Sequence, residues 1–240
     1  MKYVIPMAGK GSRFFNEGFK IPKYLIEVKG KMLIEYSINS LPIGLEDEII
    51  FIVLADHEKT FKITKIIKDT FSSRNVKIIL IDKETRGQSE TVMFSRNYVS
   101  EYEDLVIFNI DTSFYSKTLS KLLQLEDKKN DGVLGAFYNS SNENHWSFAS
   151  LNNERKVSHV MEKDKISNYA LTGLYHFSES KDFFETAEHH IRNNILFKNE
   201  FYIAPLYNDL ILNGKSYVLD LVEDFTPLGT PKEISDFEKN

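Results

Sequence analysis

Short, almost continuously apolar runs alternate with longer segments of helical spacing up to about residue 140. Apolar runs of this kind are typical of strands that helices cover on both faces. Their alternation with helices indicates βαβ units around a mostly parallel sheet. The predicted strands are residues 2–7, 48–54, 76–81, 105–110 and 133–138. The predicted helices, which contain no internal proline, are residues 32–41, 57–71, 88–99 and 116–125.

The length of the chain predicts a single domain. With 240 residues and 42% hydrophobic content, residues 1–240 are long enough to bury one substantial core. Beyond Ser140 the pattern changes to a polar loop at 140–144 and short hairpin-like strands, and helices resume near Lys181. We interpret this segment as a small inserted β layer on the substrate side of a Rossmann-like α/β fold. Ligands of open parallel sheets bind beyond the carboxyl ends of the strands, so residues that follow strands are the candidates for a site.

Composition excludes several functional classes. The chain has no cysteine, which rules out disulfides, thiolate metal sites and cysteine nucleophiles. Its formal net charge is -5 and no stretch concentrates Lys or Arg, so no nucleic-acid partner is predicted. No apolar run reaches membrane-spanning length, and we therefore predict a cytoplasmic protein without a membrane partner. The sequence leaves a homo-oligomer open.

The histidines and the tryptophan are not predicted to carry chemistry. All six histidines lack metal-ligand spacing and are interpreted as structural or surface residues, with His145 the least settled of them. Trp146 follows His145 and could stack on a base or a sugar, but a lone tryptophan is more often part of a core.

The loop after the first predicted strand is the first candidate site. Gly9 and Gly11 permit positive φ angles and let backbone N–H groups approach a phosphate closely. The loop is not a dinucleotide fingerprint, because Phe14 stands where the third glycine belongs, and it lacks the ending of a P-loop. A tight βα turn without a ligand explains the two glycines equally well.

Two cations accompany this loop. Arg13 ends the glycine segment, and Lys23 follows Pro22, which fixes the local backbone. Cations held on rigid backbone suit the charge that develops on a transferring phosphoryl group. A solvated surface is the more common place for lysine, and we predict that role for Lys10, Lys20 and Lys29.

Asp111 follows the fourth predicted strand, after Asn109 and Ile110. A carboxylate just beyond a buried strand is where α/β enzymes commonly hold a magnesium–phosphate complex. Asp111 is therefore the best candidate for a metal ligand, and a helix or turn cap is its alternative role.

Together these motifs resemble the sugar-phosphate nucleotidyltransferases, including glucose-1-phosphate thymidylyltransferases, over almost the whole chain. In order, the motifs are Gly9-x-Gly11-x-Arg13, Pro22-Lys23, 86–91, Asp111, Glu162-Lys163, 167–175 and 228–231. The N-terminal motif with its Pro-Lys is highly characteristic of the superfamily, and 168–175 is similar to the sugar-binding strand of the thymidylyltransferases. Residues 5–9 and 12–14 look most like a bacterial branch associated with capsule or lipopolysaccharide biosynthesis.

The resemblance implies transfer of a nucleotidyl group from a nucleoside triphosphate to a sugar 1-phosphate or a similar phosphorylated metabolite. Pyrophosphate would be released, Mg²⁺ would be the cofactor, and the product would be an activated precursor for surface polysaccharide.

It also implies roles for individual residues. The implied catalytic residues are Arg13, Lys23 and Asp111, with Asp111 as the metal ligand. The implied nucleotide-binding residues are Met7, Ala8, Gly9, Gly11, Ser12, Arg13, Gly87, Gln88 and Ser89. The implied acceptor-binding residues are Asn109, Glu162, Lys163, Thr172 and Gly173. Gly87 and Gln88 would lie against the nucleobase, where the glycine allows close approach and the amide reads a base edge.

The chain departs from the family pattern in two places. Pro227 stands two residues before the late Gly-Thr, where many members carry an aspartate that completes the metal site. Asp111 with triphosphate and water, or a substitute such as Asp220 or Asp224, would then hold the metal. Asp164 stands where a proline often follows the lysine, which leaves the orientation of Lys163 open.

Two other functions stay open. A GT-A-type glycosyltransferase would consume a nucleotide sugar, but such enzymes usually carry an Asp-x-Asp motif, and here Asp111-Thr112-Ser113 supplies one carboxylate. A non-catalytic nucleotide-binding subunit is suggested by Pro227. Release of pyrophosphate or of a nucleoside diphosphate separates these possibilities.

Overall fold

The computed structural model describes residues 1–9, 11–124 and 130–239. Lys10, a predicted surface lysine, and Leu125, the predicted end of a helix, lie outside the described residues. Within the described ranges, no helix combines the length and the apolar character needed to cross a membrane.

Strands and helices alternate along the chain in the predicted order. The strands are β1 (Lys2–Met7), β2 (Glu27–Val28), β3 (Lys31–Met32), β4 (Glu48–Leu54), β5 (Asn75–Ile81), β6 (Leu105–Phe108), β7 (Thr112–Tyr115), β8 (Gly132–Tyr138), β9 (Ser147–Leu151), β10 (Val157–Glu162), β11 (Tyr169–Phe177), β12 (Tyr217–Leu221) and β13 (Asp224–Pro227). The helices are α1 (Ser12–Asn16), α2 (Leu33–Asn39), α3 (Ala55–Phe61), α4 (Ile63–Thr70), α5 (Gln88–Val92), α6 (Leu119–Gln124), α7 (Ser180–Arg192), α8 (Leu206–Leu212) and α9 (Pro231–Lys239). Short 3-10 helices lie at Lys23–Leu25 and Met93–Tyr98.

The central sheet is mixed, with the order β10-β9-β11-β6-β1-β4-β5 and with β8 between β11 and β12. β1 pairs in parallel with β4 and β6, and β4 pairs in parallel with β5. β11 runs the other way and pairs antiparallel with β6 and β8. The predicted Rossmann-like, mostly parallel α/β architecture is confirmed.

Both faces of the sheet are packed against helices. Successive residues of a strand point to opposite faces, so Val4 and Ile5 of β1 lie in different core clusters. The cluster around Val4 contains Phe183 of α7 and Leu206 of α8, and the cluster around Ile5 contains Ile34 of α2. This two-sided burial explains why the strands are apolar throughout.

The predicted helix 57–71 is two helices, α3 and α4. Lys62 between them has φ 57°, a left-handed conformation that a right-handed helix cannot pass through. The Glu58 carboxylate accepts from the Thr64 N–H at 2.7 Å, which satisfies a free donor at the start of α4. Apolar spacing predicted helix on both sides of the break and did not reveal it.

The other predicted helices are shorter than expected. Helix 32–41 begins at Leu33, because Met32 pairs with Glu27 in the β2–β3 hairpin. Helix 88–99 becomes a 3-10 helix from Met93. Helix 116–125 begins at Leu119, where the Ser116 hydroxyl accepts from the Leu119 N–H at 3.0 Å and caps the helix.

The region beyond residue 140 is antiparallel, as predicted, but β9 and β10 extend the central sheet rather than forming a separate layer. The reason is the length of β11, which has nine residues. Ala170 near its start pairs with Phe148 of β9, whereas Leu174 to Phe177 pair with β6. Thr172 and Gly173 lie between these two pairings.

A separate two-stranded sheet, formed by β7 and β13, fixes the position of the segment that follows β13. β13 pairs antiparallel with β7, and Pro227 lies opposite Thr112. The Leu228 N–H then donates to the Asp111 carbonyl oxygen at 2.7 Å. The late Gly-Thr segment therefore lies beside Asp111.

Candidate functional site

Two adjoining cavities open at the carboxyl ends of the central strands. The first cavity, of about 530 Å³, is lined by the loop after β1, by Lys23 and by the turn before α5. The second cavity, of about 380 Å³, is lined by residues of β9 to β11 and by the segment after β13. Both volumes lie in the range of small-molecule sites. Gln88, Asn109 and Asp111 line both cavities, so they lie where the two meet.

Residues of the glycine loop form one wall of the first cavity. Met7, Ala8, Gly9 and Gly11 line it. Gly11 has φ 65° and lies at the N-terminus of α1, where a left-handed residue turns the chain into the helix. Ser12 is the exposed first residue of α1.

Lys23 and Asp111 come together at the first cavity. Pro22 fixes the backbone just before the 3-10 helix that starts at Lys23. The Lys23 Nζ lies 3.0 Å from the Asp111 Oδ2, and both side chains remain partly exposed. The structure thus joins two predicted site residues that are far apart in sequence.

Arg13 lies on the other side of this junction. It lines the second cavity, whereas Lys23 lines the first. Burial raises the pKa of the nearby Tyr202 phenol, and the charge of Arg13 opposes that rise. The two predicted cations therefore face adjoining cavities rather than a single one.

The turn before α5 lines the first cavity, and its glycine also has a role in packing. Gly87 has φ 152° and ψ 176°, a region that only glycine adopts readily. A Cβ at this position would lie 2.6 Å from the Phe201 carbonyl oxygen, so the glycine lets residue 201 cross the turn. The Ser89 side chain is fully buried, and its hydroxyl donates to that same carbonyl oxygen at 3.0 Å. This interior position removes Ser89 from the candidate contacts.

A buried carboxylate forms part of the second cavity. Glu162, at the end of β10, is 7% exposed and accepts a short hydrogen bond from the Ser147 hydroxyl. Burial raises the pKa of Glu162, and the Ser147 hydrogen bond and the Lys163 charge oppose this effect. The cavity therefore presents a strong acceptor in a mostly desolvated place.

Lys163 follows Glu162 in a left-handed conformation with φ 54°. Its Nζ donates to the Tyr202 hydroxyl and lies 4.7 Å from the centroid of that ring. Lys163 thus faces the second cavity, although Asp164 follows it at the position where the resembled family often has a proline.

The donors around Asp111 fit a hard divalent cation. Its carboxylate oxygens are the ligand type that Mg²⁺ prefers, and Mg²⁺ usually keeps waters and substrate phosphates besides one or two carboxylates. Among the described residues there is no group of three or more His, Cys, Asp or Glu side chains that could hold a metal. Asp111 with substrate oxygens therefore fits such a cation without a larger cluster of protein ligands.

The two substitute carboxylates suggested by sequence do not serve this role. Asp220 is buried and accepts from the hydroxyls of Ser116 and Thr118. Asp224 pairs with Tyr115 at the opposite end of β13 from Pro227. One carboxylate oxygen of Asp220 is thus bonded and the other is buried without a partner, and neither aspartate lines either cavity.

Glu233, which sequence reasoning missed, approaches Asp111. The Asp111 Oδ2 and the Glu233 Oε2 lie 3.5 and 3.6 Å from the position that a Cβ on Gly229 would occupy. The Glu233 Oε2 also accepts from the Gly229 N–H at 2.9 Å. Its spacing of three residues from Thr230 is that of a helix capping box, and this was the signal available in the sequence.

The aromatic side chains of the second cavity were not predicted as a group, and for Trp146 the sequence favoured a core position over stacking on a ligand. Trp146 and His145 both line this cavity, so the prediction of a core tryptophan is wrong. The Trp146 ring packs edge-on against Phe137, with 5.4 Å between centroids. Tyr175 and Tyr202 complete this group. The one signal in the sequence was the position of His145 and Trp146 directly after a polar loop.

Comparison with known proteins gives a consistent result. The family model described as nucleotidyl transferase matches residues 2–195. The crystal structure of a nucleoside-diphosphate-sugar pyrophosphorylase from Vibrio cholerae is 32% identical, with a TM-score of 0.85 over 99% of this chain and 100% of that one. An inositol-1-phosphate CTP transferase from T. maritima is 15% identical, with a TM-score of 0.78 over 99% of this chain and 93% of the other, and so shares the fold.

A curated relative is longer than this chain. The bifunctional protein GlmU of Methanococcus maripaludis is 24% identical over 238 residues, which are 98% of this chain and 53% of that protein. The chain thus spans about half the length of this relative.

Proposed function

The chain belongs to the nucleotidyl transferase family, and from that premise we propose that it transfers a nucleotidyl group from a nucleoside triphosphate to a sugar 1-phosphate. Pyrophosphate is the second product. We propose further that the nucleotide occupies the first cavity and the acceptor the second, and that residues 1–240 act as one nucleotidyltransferase domain.

The observation that carries this proposal is the junction between the two cavities. A transfer reaction needs two ligand sites that meet at the reacting atoms, and Gln88, Asn109 and Asp111 line both. One ionic pair, Lys23 with Asp111, lies at the same place. A protein that bound one nucleotide without turnover would not need the second cavity.

The proposed reaction is an in-line displacement. An oxygen of the acceptor phosphate forms a bond to the α-phosphorus, and the bond from that phosphorus to the bridging oxygen of pyrophosphate breaks. The leaving pyrophosphate takes the electron pair of that bond, so no covalent intermediate with the enzyme is required. Catalysis then rests on alignment of two anions and on neutralisation of their charge.

The chain's own residues supply most of this work. Lys23 places a positive charge at the first cavity, and Arg13 places one at the second. Met7, Ala8, Gly9 and Gly11 line the first cavity, and backbone N–H groups of such a loop can bind phosphates. Mg²⁺ held by Asp111 and substrate oxygens would neutralise further phosphate charge when bound.

The chemistry of the second cavity supports a hydroxylated acceptor. The Glu162 carboxylate accepts hydrogen bonds from hydroxyl groups, and Lys163 with Arg13 suits a phosphate. A quaternary ammonium would need open aromatic faces. The Lys163 ammonium already lies over the Tyr202 ring, and Trp146 packs against Phe137.

A pyrophosphate-release screen tests the proposal. Four nucleoside triphosphates are combined with sugar 1-phosphates, inositol 1-phosphate and phosphocholine, each with and without Mg²⁺. We expect pyrophosphate with a sugar or polyol phosphate when Mg²⁺ is present. Nucleoside diphosphate formed from a nucleotide sugar would instead support a glycosyltransferase, and tight nucleotide binding without turnover would support a binding subunit. A cytoplasmic location, a homo-oligomer and a role in surface-polysaccharide synthesis stay predictions.

A further inference from the structure

A pair of neutral amides separates the two cavities. Gln88 is the first residue of α5, and Asn109 follows the end of β6. The Gln88 Nε2 donates to the Asn109 Oδ1, and both side chains line both cavities. The amide pair, Gln88 with Asn109, therefore lies where the two proposed substrates approach each other.

The surrounding backbone holds Asn109 in place. Its N–H donates to the Gly173 carbonyl oxygen at 3.3 Å. Gly173 has φ 87°, and a Cβ there would lie 2.5 Å from the Asn109 Nδ2. The Asn109 amide can therefore take its observed position only because residue 173 is glycine, since any side chain at 173 would collide with it.

The backbone around Gln88 is fixed as well. The Ser89 N–H donates to the Phe201 carbonyl oxygen at 2.9 Å, which ties the start of α5 to the crossing segment. Gly87 makes this crossing possible. Both amides therefore belong to rigid backbone rather than to loops that substrate must order.

The hydrogen bond between the amides sets the direction of their remaining donors. A glutamine amide has two N–H donors, so Gln88 keeps one after bonding Asn109. The Asn109 oxygen accepts that bond, and its own two N–H donors stay available. Neutral amide groups can donate hydrogen bonds to phosphate oxygens in both cavities. Because they carry no net charge, they do not form an ion pair that would bind one reactant more tightly than the other.

We propose that the amide pair is a positioning element that aligns the acceptor phosphate with the α-phosphate of the nucleotide. This inference rests on the proposed function. From the junction of the two cavities, the pair donates hydrogen bonds to phosphate oxygens of both reactants. It thereby fixes the distance and direction from which the acceptor oxygen attacks the α-phosphorus. Its effect belongs mainly to the chemical step, because displacement of reactants by about 1 Å costs on the order of 10²-fold in rate.

A double-mutant cycle tests the proposal, with Gln88→Ala, Asn109→Ala and the double variant. The proposal assigns Gln88 to phosphate oxygens and not to the nucleobase contact that the family resemblance implied. We therefore expect kcat to fall roughly 10- to 100-fold in each single variant, and Kd for the nucleotide to change by less than about 3-fold. The double variant should be no slower than the slower single variant, because the two amides act as one unit. The surface amide variant Asn153→Ala is the matched control and should keep the kcat of the natural protein.

Two further variants keep the test independent of folding defects. Asn109→Asp preserves shape and the bond from Gln88, but it replaces two donors with a carboxylate that repels phosphate, so kcat should fall more than in Asn109→Ala. Gly173→Ala displaces the amide and should lower kcat in the natural background. In the Asn109→Ala background the same change should lower kcat by a clearly smaller factor, because the amide is gone and only the strain at φ 87° and the contact with the Cβ of residue 109 at 3.1 Å remain.

Additive effects of Gln88→Ala and Asn109→Ala, or a normal kcat in Asn109→Asp, would overturn the inference. An equal effect of Gly173→Ala in both backgrounds would do the same. Failure of the proposed function gives a different result, because the natural protein itself would then release no pyrophosphate in the screen.

Discussion

The two cavities are built in different ways. The first cavity takes a wall from Met7, Ala8, Gly9 and Gly11, which lie close together in sequence at the end of a parallel strand and just after it. The second cavity collects residues from β9, β10, β11 and the segment after β13, which are distant in the chain. A cavity wall built from one loop at a strand end can be recognised in the sequence as a motif. A wall built from several strands consists of single residues scattered along the sequence, and no motif marks it.

Their electrostatics differ as well. The first cavity holds a partly exposed ion pair, Lys23 with Asp111. The second holds the buried Glu162, whose pKa burial raises, together with Lys163 and Arg13. The first arrangement suits a polyphosphate with a cation, and the second suits a ligand that carries both hydroxyls and a phosphate.

The largest expected effect separates the two cations. Two unit charges about 4 Å apart interact by roughly 4 kcal/mol at an effective dielectric of 20. Lys23→Ala should therefore lower kcat by on the order of 10²- to 10³-fold and weaken nucleotide binding. Arg13→Ala should lower kcat/KM by a similar factor but act mainly on the KM of the acceptor. Steady-state kinetics with each substrate varied in turn measures both effects.

Lys20→Ala, which changes an exposed lysine near Lys23, is the matched control and should be close to normal. Thermal unfolding should be unchanged in all three variants. If Arg13→Ala and Lys23→Ala changed the same substrate parameter, the division of the cations between two cavities would be wrong.

The sequence predicted the architecture, and it grouped several of the residues that line the first cavity. Continuous apolar runs identified the parallel strands, because burial on both faces leaves a plain signal in each strand. Gly9, Lys23 and Asp111 were predicted to share a site and all line the first cavity, whereas Arg13, predicted with them, lines the second. Each of the first three comes just after a strand or a proline, where the local chain alone fixes its position.

The second cavity was only partly predictable. Glu162 and Thr172 were predicted through the family resemblance, and they line it. Trp146 and Glu233 were missed, because the pairing of β9 with β11 and of β13 with β7 decides where they lie. The break at Lys62 was missed for a related reason, since a single left-handed residue leaves the apolar spacing unchanged.

A second prediction concerns why glycine occurs near the first cavity. Gly87→Ala places a Cβ within 2.6 Å of the Phe201 carbonyl oxygen and forces a residue with a side chain into a region reserved for glycine. We expect the free energy of unfolding to fall by on the order of 3 kcal/mol. Urea unfolding measures this change without any substrate.

Gly9→Ala is the matched control, because no atom lies within 4 Å of its added Cβ and its backbone is not left-handed. Stability should change little, whereas nucleotide affinity should fall because the methyl group enters the first cavity. A stable Gly87→Ala protein with weakened nucleotide binding would instead favour the original expectation that glycine admits the nucleobase.

The smallest effect is a pH dependence confined to the second cavity. Because burial raises the pKa of Glu162, its carboxylate takes up a proton above the pH at which an ordinary glutamate does so. Protonation removes the negative charge of the carboxylate and weakens the hydrogen bonds that it accepts from hydroxyl groups of the acceptor substrate. The KM of the acceptor should therefore rise as pH falls through the raised pKa, while Kd for the nucleotide stays level.

Glu162→Gln tests the assignment of this pH dependence. It should raise the acceptor KM by about 10-fold at neutral pH, the loss expected for one charged hydrogen-bonding group, and flatten its pH profile. The variant should also unfold at a higher urea concentration at neutral pH, because a raised native pKa means that the charged form costs stability above that pKa. This advantage over the natural protein should shrink as pH falls and Glu162 becomes protonated. If the KM of the acceptor substrate still depended on pH in Glu162→Gln, another group would be responsible for the titration. The proposal that Glu162 accepts hydrogen bonds from substrate hydroxyls would then be wrong.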